Sequence, residues 1–155
     1  MKRKASGYIA LLLSGILFFF CSCTPESCID DTESFLEAKF FSRSTLNQQT
    51  PDSLTVYGYG RDTAKIYSAS RLINIASLPL NPSAQSTVFV FIINGITDTI
   101  SFYHYSYPHL ISRECGYSYN HTLDSLKHTN NNIDSVWVKN NLITTTNEEN
   151  IHIFY

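Results

Sequence analysis

The chain is 155 residues long, 43% hydrophobic and 14% aromatic, which gives room for one domain with a packed core and excludes wholesale disorder. Charge is sparse, with 15% charged residues and a formal net charge of −2. Residues 1–22 hold Lys2, Arg3 and Lys4 and no acid, so the remainder carries 8 basic residues against 13 acidic ones, a net of −5. An acidic chain without a basic stripe excludes phosphate-neutralising nucleic-acid binding and argues against electrostatic docking on anionic lipid.

Lys2-Arg3-Lys4 forms a positive n-region, and an apolar stretch follows from Tyr8 to Phe20, broken only by Ser14 and Gly15. About 13 residues fall short of the roughly 20 that span a bilayer and match a secretory h-region. The stretch meets Phe20-Cys21-Ser22-Cys23, which resembles a lipobox, with small Ser22 before the cysteine that takes diacylglycerol. Cys23 fits better than Cys21, whose neighbour Phe20 is bulky. The reading is a leader over 1–22 and an acylated Cys23 that attaches the protein to a membrane without spanning it. A plain signal peptide, or an uncleaved anchor with two incidental cysteines, is the alternative.

The chain has four cysteines. With Cys21 in the leader and Cys23 acylated, Cys28 and Cys115 remain, and in an oxidising compartment they form one disulfide. Such a bond closes a loop of about 90 residues and is worth at most roughly 4–5 kcal/mol. A free pair or a thiol-exchange function is the competing reading, although no Cys-x-x-Cys motif is present.

Residues 23–33 read as the lipidated N-terminus and a short acidic tether. Ten extended residues reach only about 35 Å, so a domain over 34–155 stays near its membrane. From Ser34 onward strand and turn alternate. Phe35 to Phe41 and Leu54 to Tyr59 are bulky runs, separated by turn chemistry at Asn47 to Ser53. Arg71 to Ala76 alternates, and Leu78-Pro79-Leu80-Asn81-Pro82 breaks regular pairing. The firmest element is Thr87 to Ile93, followed by Asn94-Gly95, a type I′ hairpin signal. With a two-residue loop and a return strand from Ile96 to Tyr105, Phe89 faces Ile100, Thr87 faces Phe102 and Val88 faces Ser101. Gly116 to Tyr119, Ile133 to Val138 and Ile151 to Tyr155 complete the set, with an optional helical turn over His121 to Lys127. Seven to nine strands predict an all-β chain, a single antiparallel β-sandwich. It is immunoglobulin-like at most in outline, because Trp137 follows both candidate cysteines.

Catalytic and metal chemistry finds little support. His104, His109 and Cys115 match no zinc spacing, and the five histidines read as scattered surface residues. Asp30, Asp31 and Glu33 offer oxygen donors but lack a calcium-loop pattern. No Gly-x-Ser-x-Gly elbow is present, and Gly58-Tyr59-Gly60 lacks the ending of a phosphate loop. No cofactor, catalytic residue or metal ligand is expected. Tyr103, Tyr105, Tyr107, Tyr117 and Tyr119 cluster instead near Cys115, and aromatic faces of this kind stack on sugars or anchor a protein partner. They are the candidate ligand-binding residues, although tyrosine is also a favoured strand residue. Asn120-His121-Thr122 matches a glycosylation acceptor.

Leu78-Pro79-Leu80-Asn81-Pro82, Ser112-Arg113-Glu114-Cys115-Gly116 and Asn150-Ile151-His152-Ile153 carry a family resemblance. Across nearly all of residues 23–155 the chain resembles a group of uncharacterised Bacteroidota lipoproteins, and Cys28 matches that family's first cysteine. No activity is established for the family, so the resemblance implies an address and no mechanism. Its members' neighbourhood with predicted outer-membrane proteins implies an envelope partner. The expectation is a non-enzymatic outer-membrane lipoprotein, on the periplasmic face or the cell surface, that binds or supports another outer-membrane component. A surface module binding glycan or peptide through the tyrosines is the alternative, and a hydrolase a distant third.

Overall fold

Alternation of inward apolar and outward polar side chains builds ten strands in the computed structural model, which describes residues 28–155. The leader, Cys21 and Cys23 lie outside the described residues. The strands are β1 (Phe35–Phe41), β2 (Leu54–Gly58), β3 (Lys65–Ser70), β4 (Ile75–Pro79) and β5 (Ser86–Ile93). They continue with β6 (Ile96–Ser112), β7 (Gly116–His128), β8 (Ser135–Val138), β9 (Leu142–Ile143) and β10 (Glu149–Phe154). Among the described residues there is no helix. Two sheets result, one ordered β4-β1-β10-β8 and the other β3-β2-β5-β6-β7-β9.

The sheets face each other across one core. From the smaller sheet come Leu36, Ala38 and Phe40 of β1, Ala76 and Leu78 of β4, and Ile151 and Ile153 of β10, all fully buried. The larger sheet answers with Leu54 and Val56 of β2, Phe89, Phe91 and Ile93 of β5, and Ile100 and Phe102 of β6. The architecture is the expected all-β sandwich, with ten strands rather than seven to nine. All its strand pairs are antiparallel except β1 with β10, which run parallel. The immunoglobulin outline finds no further support, since Trp137 is exposed on the edge strand β8 instead of packing on a disulfide.

The β5–β6 hairpin has the register read from its turn. Phe89 pairs with Ile100, Thr87 with Phe102 and Val88 with Ser101. Asn94 and Gly95 adopt φ of 52° and 86°, the two positive values that a type I′ turn requires.

Other segments differ from the sequence expectation. Of the expected strand from Arg71 to Ala76, only Ile75 and Ala76 are extended, as the start of β4; residues 71–74 form the turn from β3, where Leu72 takes φ 60° and is exposed. Leu78 and Pro79 do pair, with Leu36 and Phe35. Proline is tolerated there because β4 is an edge strand. The optional helical turn at His121 to Lys127 is instead in the second half of β7, drawn into the sheet by pairing with Ser101 to Ser106.

Two buried polar side chains close the ends of this framework. Asn150 accepts from Glu37 N at 2.9 Å and donates to the Leu142 and Asn140 carbonyls at 2.8 and 3.1 Å, tying β10 and β1 of one sheet to β9 of the other. Asp98 of β6 accepts four bonds of 2.6 to 2.9 Å, from Thr129 Oγ1 and from the amides of Asn131, Asn132 and Ile133. Burial alone would raise its carboxyl pKa, but these bonds outweigh burial and hold it below 3.8. Asp98→Ala strands four donors and is expected to cost roughly 3 kcal/mol in urea unfolding at pH 7. The contribution is full above about pH 4 and is lost as pH falls through the lower folded-state pKa, so the variant's stability should change less with pH below 4.

Candidate functional site

Pairing of β5 with β6 stops at Ser86–Tyr103, and β9 meets β7 only at His121 and Thr122. Beyond those points residues 107–112 and 116–120 have only each other as strand partners among the described residues. The end of the β6–β7 hairpin is thus a two-stranded ribbon extending past its own sheet. Because side chains alternate, the tyrosine cluster divides between its two faces. Tyr103, Tyr105 and Tyr107 share one face, opposite Ser125, Thr122 and Asn120. Tyr117 and Tyr119 lie on the other, opposite Leu110 and Pro108. Five residues that are close in sequence therefore make two surfaces.

On the first face Tyr105, 70% exposed, stacks on Tyr107 with ring centroids 6.2 Å apart and planes inclined by 22°. Lys127 Nζ sits 5.8 Å above the Tyr103 ring. A shallow groove of about 600 Å³ runs beside them, lined by Gln85, Tyr103, Tyr105, Thr122, Asp124 and Asn141. Flat rings flanked by amide, hydroxyl and carboxylate groups suit a polar ligand with an apolar face. Asn120, in contrast, is buried, so its glycosylation pattern is hidden.

Cys28 and Cys115 are joined by a disulfide, with Cα atoms 4.8 Å apart. From this bond residues 28–34 run alongside 115–119. Ser118 Oγ donates to the Thr32 carbonyl at 2.5 Å, and Ser34 Oγ donates to the Tyr119 carbonyl. Asn147 then receives the chain as it enters β1, accepting from Phe35 N at 3.0 Å. Far from hanging free, the described part of the acidic tether is laced along the open edge of β7. Asp30, Asp31 and Glu33 stay on the solvent side.

The inner face of the same hairpin carries a polar chain that the sequence reading missed. His104 and His121 are buried, against the expectation of scattered surface histidines. Thr87 Oγ1 lies 2.9 Å from His104 Nε2, Ser106 Oγ lies 3.3 Å from His104 Nδ1, and His121 Nδ1 lies 2.8 Å from the same Ser106 hydroxyl. The two rings meet edge to face at 5.4 Å. Their placement follows from register: His104, Ser106 and His121 continue the inward positions of Ile100 and Phe102. Burial, with His104 nearby, lowers the His121 pKa to about 4, and burial also lowers that of His104. A neutral imidazole of such low basicity is a weak general base at pH 7, and among the described residues the partners of both rings are hydroxyls rather than carboxylates. The geometry joins β5, β6 and β7 through satisfied polar groups. His109 lies on the opposite face of the ribbon and Cys115 is consumed by the disulfide. Among the described residues no three His, Cys, Asp or Glu side chains converge.

Residues 53–155 match the model of a family described as a family of unknown function (DUF6452). No curated protein and no solved structure matches the chain.

Cys28→Ser with Cys115→Ser is expected to lower unfolding stability by up to roughly 4–5 kcal/mol, measured by urea titration under oxidising conditions. The histidines act in a separate pH window from Asp98. Below pH 6.5 the unfolded chain takes up a proton that folded His121 refuses until about pH 4, so stability falls across that interval and levels off beneath it. His121→Gln should flatten the same interval.

Proposed function

We propose that this chain, which belongs to the DUF6452 family, is an exported lipoprotein without catalytic activity, held in the cell envelope by an acylated Cys23 and engaging another outer-membrane component through its β-sandwich. One observation carries the reading. The cysteine pair left after a leader and a lipidated Cys23 are set aside is the pair joined in the fold, and a disulfide of this kind belongs to an oxidising compartment. The arrangement also gives the anchor a mechanical role. Cys28 lies five positions after Cys23, a contour of at most about 18 Å, so lipid attachment leads directly into the cross-linked end of the longest hairpin.

A second reading is favoured by the Tyr105–Tyr107 stack and its groove, which offer a platform for a glycan or peptide. Tyr117 and Tyr119, on the opposite face, take no part in it.

Labelling cells with an alkyne fatty acid tests the anchor. The wild-type chain should incorporate label and Cys23→Ser should not; retained labelling in the variant refutes the assignment. A photo-crosslinking side chain at Tyr105 in the same cells separates the two readings. One dominant membrane-protein adduct supports the envelope component, whereas no protein adduct together with retention on immobilised envelope polysaccharide supports the glycan platform.

A further inference from the structure

Among the described residues, the second face of the hairpin end is an exposed surface on which no strand of the smaller sheet pairs. Pro108 and Leu110 of β6 stand opposite Tyr119 and Tyr117 of β7, forming two adjacent cross-strand pairs. All four side chains are solvent-exposed, Leu110 by 49%, Tyr119 by 48% and Tyr117 by 72%. Farther back along the same face, Leu123 and Phe102 turn into the core. The exposed strip is therefore a core-facing register carried past the reach of the other sheet. Its polar boundary is the turn at Arg113 and Glu114, together with Asp30 and Asp31.

We infer that this Pro108–Leu110–Tyr117–Tyr119 strip rests in the headgroup region of the bilayer to which the protein is anchored. The inference rests on the lipid-anchor reading above and deepens it by assigning the surface that meets the membrane. Position supplies the argument. The strip begins two residues from Cys115, whose disulfide partner Cys28 is five residues from Cys23. The tether can extend about 18 Å, and Tyr119 lies only about 13 Å of strand beyond the disulfide, so the whole strip is held within reach of the surface. Chemistry supplies the rest. Tyrosine, with an apolar ring and a polar hydroxyl, settles at membrane–water interfaces, while leucine and proline add apolar area beneath it. The acidic flank excludes attraction to anionic lipid as the driving force, which leaves interfacial partition of the rings.

Quenching by brominated phospholipid tests this in the full lipidated protein reconstituted into phosphatidylethanolamine vesicles doped with brominated phosphatidylcholine. In a Trp137→Phe background, Tyr117→Trp places the sole indole on the strip. Ile96→Trp places it at the opposite end of β6, roughly 50 Å away. Both positions are exposed, so neither change disturbs the core. The expected result is retention of both variants on vesicles through a carbonate wash, with about twofold or greater quenching for Tyr117→Trp and almost none for Ile96→Trp. Retention with equally unquenched indoles overturns the docking and leaves the strip to a protein partner, while the anchor reading stands. Loss of both variants in the wash overturns the anchor reading, and the docking falls with it.

Discussion

At Asn94 and Gly95 the backbone passes twice through positive φ, and that local choice decides which residues of β5 and β6 stand opposite one another. With Phe89 kept inward, a slip of one position would turn Ile100 and Phe102 outward and bring Ser101 inward. The consequences extend along the strand, because β6 is also the template for β7. The buried histidines, the stacked tyrosines and the exposed strip at the hairpin end all take their faces from this register. Positions that continue the inward set become core near the turn, a polar chain at His104 and Ser106, and solvent-facing apolar surface at Pro108 and Leu110.

What could be read in advance follows from how local each determinant is. The type I′ turn is encoded in two adjacent residues, and the bulky run of β1 in seven, so both were legible. Thr87 to Ile93 and its return strand were legible for the same reason, although β6 and β7 run farther than their apolar residues announce. Tyr107 to Ser112 are extended because they pair with Gly116 to Asn120, and Asn120 to His128 because they pair with Ile100 to Tyr107, a non-local cause that polar side chains do not advertise. Two-residue β9 and the polar strand β3 carry almost no pattern of their own. Leu78-Pro79 looked like a break because proline disrupts a ladder, and only the topology shows that its strand is at an edge.

The site was legible to a similar degree. Counting cysteines found the Cys28–Cys115 bond, since elimination needs no geometry. The tyrosines were found as a cluster, but sequence proximity hid their separation between opposite faces. Asp98, Asn150 and the His104–Ser106–His121 chain were missed because each owes its role to partners between 8 and 113 positions away. Together these groups place the distinctive surfaces of the molecule on one long hairpin whose end is also the point of entry of the N-terminal segment.

The parallel pairing of β1 with β10 sets a time order on how this protein acquires its shape. Phe35–Phe41 belongs to the first strand to emerge during synthesis, while its central neighbour, Glu149–Phe154, is the last. At about 5–20 residues per second the intervening chain takes roughly 5–20 s to make, and for that interval Leu36, Ala38 and Phe40 have no β10 to pair against. Local pairings such as β5–β6 can form early, but the smaller sheet closes only once β10 has been made. Such non-local closure slows folding. Until Glu149–Phe154 has emerged, one edge of β1 stays open, so any chain that stops short of β10 leaves Leu36, Ala38 and Phe40 on an unpaired strand.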